Sequence, residues 1–219
     1  MTVHNLGSEN SIFNYFISEL RNVEVQGDSM RFRKNLERIG EIMAYEVSRT
    51  LEYKPREIRT PLGTLDMQLP EEMPVLATIL RAGLPLHSGL LNFFDRSENA
   101  FIAAYRKHHA DSTFEIKLHY MASPDLNGRT LILSDPMLAS GKSLLLAYNE
   151  LMCSGTPKHT HIVSVIASRQ GVDFLTKNLE GKNCTLWVGA IDNEMTAQSY
   201  IVPGLGDAGD LAFGRKLDI

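Results

Sequence analysis

The chain has 219 residues, 43% of them hydrophobic, with 22 Lys and Arg against 26 Asp and Glu, a formal net charge of −4 and a pI near 6.0. That length and apolar content allow one substantial core, so a single domain with a minor lobe is expected, and the acidic balance argues against nonspecific nucleic-acid binding through a broad basic face. No apolar stretch approaches the roughly 20 residues of a membrane span, and residues 1–10 lack a charged segment followed by an apolar one; a cytoplasmic protein is expected.

In chain order, Phe32, Leu36, Ile39, Met43 and Val47 mark one face of a long helix entered near Asp28 and Ser29, whose side chains can cap it. Pro55, Pro61, Pro70 and Pro74 interrupt residues 54–74, which predicts a loop or short hairpin wrapped on the sheet, with Arg56 and Arg59 in solvent. Residues 75–80 read as a strand leading to Arg81, Ala82 and Gly83, with a helix over 84–94. A second strand at 101–105 is followed by a projecting β-element at 113–121 and a third core strand at 131–133. Leu144, Leu145, Tyr148, Leu151 and Met152 then return at helical spacing, and a strand at 162–167, a helix near 172–178 and a strand at 185–191 complete the pattern. This alternation predicts an α/β fold, a Rossmann-like parallel sheet with helices on both faces. Ligand loops then belong at the carboxyl ends of the strands, where Arg81, Arg106 and Asp135 fall.

Residues 130–143 are the most informative stretch. An apolar β-type run ends in one acid, Asp135, and a small-residue loop, Pro136, Met137, Leu138, Ala139, Ser140 and Gly141, that opens a helix through Lys142 and Ser143. Unpaired N–H groups of a first helical turn, here around Ser140 to Ser143, hold a phosphate dianion well, and Gly141 lets the backbone approach closely. Gly141-Lys142-Ser143 is not the end of a Walker A loop, because that motif needs glycine five positions earlier and Pro136 stands there. A plain strand-to-helix turn accounts for the stretch taken alone.

Near the C-terminus, residues 200–210 pack glycines 204, 206 and 209 and acids 207 and 210 behind Tyr200, Ile201, Val202 and Pro203. The glycines exclude a helix across this segment and leave main-chain groups uncovered, so a planar heterocycle can be read by backbone alone. A glycine-rich turn with two solvated acids is the bland alternative. Cys153 and Cys184 have no metal-ligand spacing and are expected as buried thiols in a reducing compartment. His159 and His161 lack the further ligands of a zinc site and are expected to be structural or on the surface, whereas His108 and His109 lie in a loop that can reach substrate.

With both glycine-bearing segments in view, the chain resembles the uracil phosphoribosyltransferases, a branch of the type I phosphoribosyltransferases. Residues 135–143 are similar to the family's phosphoribosyl-diphosphate loop and residues 200–210 to its uracil loop; residues 79–83, with Tyr105 and Arg106, match its two diphosphate-contacting segments. Arg31-Phe32-Arg33 and Ala44-Tyr45-Glu46 also fit, and the resemblance covers about residues 28–214. Three stretches depart from the family pattern: the Ser140-Gly141-Lys142 core of the loop, residues 107–112 and residues 193–199.

The resemblance implies a small hood beside the sheet and one phosphoribosyltransferase domain over 1–219, with an N-terminal helical part at about 9–53, a core at about 75–191 and a uracil-binding loop at about 192–214. It implies transfer of 5-phosphoribosyl from its 1-diphosphate to uracil N1, giving UMP and diphosphate. By the same carry-over Arg106, Asp135 and Asp207 are catalytic, and Arg81, Arg106, Asp207 and residues Asp135 through Ser143 hold the phosphoribosyl diphosphate. Ile201, Gly206, Asp207 and Ala208 read uracil. Mg²⁺ is implied as cofactor, bound through substrate oxygens with Asp207 as a candidate ligand. The implied partners are the two substrates, further copies of the chain in a homodimer or larger assembly, and a GTP effector; no nucleic acid and no membrane is expected. A non-catalytic relative that keeps the nucleotide site, and a purine or xanthine phosphoribosyltransferase, are the rivals. Arg81, Arg106, Asp135 and Asp207 occurring together favour an enzyme, and residues 200–210 favour uracil.

Overall fold

Continuous apolar runs, rather than alternating ones, form the strands at the centre of the sheet, as expected where both faces are covered. The computed structural model describes residues 1–108 and 114–216, with the backbone alone described for residues 104–108 and 114–119. The elements are β1 (Thr2–Asn5), α1 (Ile12–Arg21), α2 (Ser29–Ser48), β2 (Tyr53–Thr60), β3 (Gly63–Pro70), β4 (Val75–Leu80), α3 (Leu84–Phe93), β5 (Asn99–His108), β6 (Phe114–Ala122), β7 (Thr130–Ser134), β8 (Met137–Leu138), α4 (Lys142–Leu151), β9 (His159–Ser168), α5 (Arg169–Asn178), β10 (Cys184–Asp192), β11 (Glu194–Met195), β12 (Ile201–Val202) and α6 (Ala208–Phe213).

The main sheet runs β1-β10-β9-β7-β4-β5-β6, with β8 added to the end of β9. Every pairing in it is parallel except β5 with β6. Side chains alternate between its faces. Leu76, Ile132, Val163 and Trp187 turn to α1, α2 and α3, where Phe13, Phe32, Leu36 and Leu90 are buried. Ala77, Leu131, Leu133, Ile162 and Leu186 turn to α4 and α5, against Leu144, Leu151, Val172 and Leu175. This is the expected α/β sheet covered on both faces.

The predicted stripe of α2 is buried at all five positions, and Asp28 caps the helix by accepting the Arg31 N–H at 3.0 Å. Two glycines let α2 and α3 cross closely: a Cβ added to Gly40 would lie 2.4 Å from the Leu86 carbonyl oxygen, and one added to Gly89 would lie 2.0 Å from that of Glu37.

Several local expectations are corrected. Residues 54–74 do not wrap the sheet: β2 and β3 form a separate antiparallel hairpin in full register from Tyr53↔Pro70 to Thr60↔Gly63, exposed along nearly all its length. A ribbon in which both strands are edges tolerates Pro55 and Pro70. The expected β-element is present, as β6, the antiparallel edge strand of the main sheet, with residue 113 outside the described residues. The glycine segment does contain helix, because Asp207 caps α6 at its end. Cys153 is exposed and Cys184 buried, so only one of the two thiols behaves as expected.

Candidate active site

Parallel pairing puts the carboxyl ends of β4, β7, β9 and β10 on one edge of the sheet, and the segments that follow them carry most of the predicted site. Thr78 of β4 pairs with Ser134 of β7, so Arg81 and Asp135 emerge beside each other. The two strand ends are tied together by buried hydroxyls: Thr78 Oγ1 donates to the Ser134 carbonyl at 3.2 Å and Ser134 Oγ donates to the Ala77 carbonyl at 3.1 Å. Gly83 allows this turn, since a Cβ there would lie 2.1 Å from Thr78 Oγ1.

The loop after β7 is held by its neighbours on the sheet. The Asp135 N–H donates to the Val163 carbonyl, the Asp135 carbonyl accepts from Ser164 Oγ at 2.6 Å, and Asp135 Oδ1 accepts the Met137 N–H at 3.3 Å. Ser168, at the end of β9, donates to the Ala139 carbonyl at 2.6 Å while its hydroxyl oxygen accepts the Gly171 N–H at 2.8 Å, so one side chain caps α5 and pins the loop. Gly171 is obligatory there, because a Cβ would stand 2.2 Å from the Ala139 carbonyl oxygen. Gly141 adopts φ 78° at the N-cap of α4, a left-handed conformation that suits glycine. Met137, Leu138, Ala139, Ser140, Gly141, Ser143 and Leu144 line a cavity of about 30 Å³ at this helix start.

Residues 201–214 reach the same edge from the far end of the chain. Asp207 Oδ1 accepts the Asp210 N–H at 2.9 Å, and Asp210 Oδ1 lies 3.4 Å from Arg81 NH2, which is also 3.4 Å from the Gly214 carbonyl oxygen. Lys216 Nζ lies 4.0 Å from Asp207 Oδ2. Ile201, Leu205 and Ala208 are buried in the apolar cluster against which Met137 and Ala139 also pack. The glycine loop and the loop after β7 therefore share one body of packing.

The structure thus brings Arg81, Asp207 and Asp210 together and puts Asp135 at the end of the strand next to the one that Arg81 follows. The Arg106 backbone lies in β5, next to β4, but its side chain and that of His108 lie outside the described residues, as does His109 altogether. A larger cavity, about 320 Å³, is lined by Ile191, Asp192, Asn193, Glu194, Val202 and Pro203, at the base of the glycine loop rather than on the loop after β7.

Sequence reasoning missed Arg21 and Asp192, which hold this loop; Arg33, which holds its far end, lies in the Arg31-Phe32-Arg33 stretch that fits the family. Arg21, the last residue of α1, forms a two-pronged ion pair with Asp192 at 2.8 Å for both contacts, and its NH1 also donates to the Gly204 carbonyl at 2.9 Å. The Gly204 N–H donates to Asp192 Oδ2 at 2.9 Å. Burial raises the Asp192 carboxyl, but the hydrogen bonds from Arg21 and Gly204 and the arginine's charge outweigh it, leaving the group below the usual carboxylate range. Arg33 of α2 donates to the Ala212 carbonyl at 2.6 Å, at the far end of α6. A basic residue ending a helix and an acid ending a strand carry no local signal of such partnership.

His159 and His161 lie at the opposite, amino end of β9. Trp187 Nε1 donates to His161 Nδ1 at 3.1 Å, and the His4 ring stacks on Trp187 at 4.2 Å. Burial, with neighbouring His159 and His4, pushes His161 down to about 3. Neither histidine is part of the candidate site.

Known proteins agree with the geometry. The family model for uracil phosphoribosyltransferase matches residues 8–215. A uracil phosphoribosyltransferase of Porphyromonas gingivalis is 52% identical over 217 residues, covering 99% of this chain and all of the relative. One from Methanothermobacter thermautotrophicus is 37% identical over 194 residues, 87% of each chain. The solved structure of the AQ2163 protein from Aquifex aeolicus is similar with a TM-score of 0.86 at 26% identity, over 97% of this chain and 98% of that one. With a family match across nearly all its length and full-length relatives above 30% identity, this chain belongs to the uracil phosphoribosyltransferase family.

Proposed function

We propose that the chain transfers the 5-phosphoribosyl group of 5-phosphoribosyl 1-diphosphate to N1 of uracil, releasing diphosphate and forming UMP. The observation that carries this reading is the convergence of the loop after β7 and the glycine loop of residues 201–214 on the ends of β4 and β7, with Arg81 contacting Asp210.

As the C1–O bond to diphosphate lengthens, positive charge grows on the ribose and negative charge on the leaving oxygens. Fixed cations beside those oxygens stabilise the transition state more than the ground state. Arg81, 43% exposed, and Arg106 supply planar, permanently charged donors for that role. Backbone N–H groups and hydroxyls of Ala139 through Ser143 bind the 5-phosphate at the start of α4, with Pro136, Met137 and Leu138 shaping the approach and Asp135 facing the ribose hydroxyls. Asp207 stands where the base loop meets Arg81 and contacts the ribosyl diphosphate, directly or through water.

Asp207 also suits Mg²⁺. Its Oδ1 accepts from the Asp210 N–H, and its other oxygen belongs to a side chain 35% exposed; one carboxylate oxygen fits a small ion that keeps substrate oxygens and water as its remaining ligands. When bound, the ion would offset charge on the diphosphate oxygens.

Uracil is read by main-chain groups of Ile201, Gly206, Asp207 and Ala208. An N–H aimed at the C4 carbonyl meets an amine in cytosine, and the unpaired donors cost about 1–3 kcal/mol, or roughly ten- to a hundredfold in selectivity. The test supplies Mg²⁺ and phosphoribosyl diphosphate with uracil, cytosine, hypoxanthine or xanthine in turn. UMP from uracil alone is expected, and nucleotide from a purine instead would overturn the reading.

The whole chain is read as one phosphoribosyltransferase domain, since a single apolar cluster joins the N-terminal helices, the sheet and residues 201–212. A homodimer or larger assembly is supported by the β2–β3 hairpin, which carries exposed Leu62, Leu65 and Met67 and is the kind of two-stranded ribbon that is marginal without a covering surface. Sedimentation of the chain with and without residues 54–69 checks this. A GTP response is carried over from the family reading alone, and adding GTP to the same assay tests it.

A further inference from the structure

Recognition of uracil by main-chain groups, the premise on which a role for Arg21 rests, leaves unexplained why an arginine of the first helix reaches across to the far end of the chain. Arg21 NH1 donates both to Asp192 Oδ2 and to the Gly204 carbonyl, while the Gly204 N–H donates to the same Asp192 oxygen. Guanidinium, carboxylate and the two main-chain groups of Gly204 thus close a ring. NH2 adds a second contact to Asp192 Oδ1 at 2.8 Å, which fixes the plane of the pair.

The two peptide planes that meet at Gly204 are both held by this ring. Gly204 has φ 57°, and a Cβ on it would lie 2.2 Å from the Ile201 carbonyl oxygen, so the backbone turns sharply and tightly at that point. Two residues on, Gly206 begins the run of main-chain groups that reads the base. The backbone that carries Arg21 is itself held at the end of α1, because Gln26 Nε2 donates to the Leu20 and Arg21 carbonyls at 3.0 and 3.1 Å. Asp192 is only 9% exposed and Arg21 22%, so water substitutes poorly for either.

We infer that Arg21 is a positioning residue for base recognition: through Asp192 and Gly204 it sets the orientation of the uracil-reading peptides without touching substrate. Backbone recognition has no side chain that can swing to compensate for a displaced peptide, and a misplacement of about 1 Å in a bound reactant costs on the order of a hundredfold in rate. The phosphoribosyl-diphosphate loop, in contrast, is held by Ser164 and Ser168, with Gly171 packed against it, whereas the Arg21 hydrogen bonds go to Asp192 and Gly204.

The test varies each substrate in turn for wild type, Arg21→Met, Arg21→Lys and Asp192→Asn, and follows hydrogen–deuterium exchange of residues 201–206 in the same proteins. Arg21→Met is expected to raise the uracil KM by about tenfold or more while the phosphoribosyl-diphosphate KM moves less than about twofold. Faster exchange at 204–206, a smaller effect in Arg21→Lys, and partial recovery of uracil KM in Arg21→Met on adding guanidinium ion are also expected. An unchanged uracil KM, or equal losses toward both substrates, in folded Arg21→Met, or in Asp192→Asn should Arg21→Met not fold, overturns the inference. If wild type makes no UMP from uracil, the functional reading fails on its own, and the exchange measurement still decides whether Arg21 orders the loop.

Discussion

Asp207 offers a clean separation of structure from chemistry at the level of one atom. Its Oδ1 caps α6, a task that asparagine performs about equally well, whereas the negative charge offered to Mg²⁺ or to water on the diphosphate is lost on amidation. Asp207→Asn is therefore expected to leave the melting temperature nearly unchanged while lowering kcat/KM by about a hundredfold, measured as UMP formation. A fall in both together would mean that the carboxylate serves the helix rather than the reaction. Arg81 is the second such residue. Its contacts with Asp210 and the Gly214 carbonyl, both at 3.4 Å, are long enough to yield readily to diphosphate oxygens. Arg81→Ala should lower kcat for UMP formation as well as raise the phosphoribosyl-diphosphate KM, with little cost in stability, since the pair is exposed.

At the scale of elements, the loop after β7 gains its shape from α5 and β9 rather than from its own residues. Ser168 and Gly171 sit at a strand-to-helix junction, where Ser168 donates to the Ala139 carbonyl and the bare Gly171 lets α5 pack closely against it. Adding a methyl in Gly171→Ala pushes backbone against backbone, so α5 must move away from the loop; a stability loss of about 1–3 kcal/mol is expected by urea unfolding, with a higher KM for phosphoribosyl diphosphate and an unchanged uracil KM. A loss in uracil KM of the same size would show that the two loops are mechanically one. These supporting residues had no sequence signal, because the serine and the glycine read simply as the opening of another helix. By contrast Asp135 and Gly141 were legible, as an acid ending an apolar run and a glycine in a small-residue loop have strong compositional marks.

For the molecule as a whole, the histidines at the amino end of the sheet set the acid side of stability. His161 is pushed down to about 3 by burial and by His159 and His4, and burial also lowers His87 against the weaker opposing effect of its Asn99 hydrogen bond. The unfolded chain therefore binds protons near pH 6.5 that the folded chain refuses. The His161 contribution is complete above that pH and is lost as pH falls toward 3, by at most about 1.4 kcal/mol per pH unit, and His87 adds to it in the same direction. Unfolding followed by Trp187, the single tryptophan and the donor to His161, should show lower stability at pH 5 than at pH 7. His161→Gln should flatten that dependence in part; an unchanged slope would remove His161 as its source.

The sequence by itself determined the α/β alternation, the two-sided burial of the strands, the phosphate-loop pattern at residues 135–143 and the glycine segment at 200–210, because each is written in local periodicity or in residues with special backbone freedom. It misread the reach of β2 and β3, since proline marks interruption without saying whether a ribbon lies on the sheet or stands clear of it. That Arg81 meets Asp210, that Ser168 pins Ala139, and that Arg21 and Asp192 hold Gly204 came from the folded chain alone. Those contacts join positions 129, 29 and up to 183 residues apart. Between such distant positions no local spacing rule operates; what brings them together is the parallel register of the sheet and the packing of the first helices and the last loop on one apolar cluster.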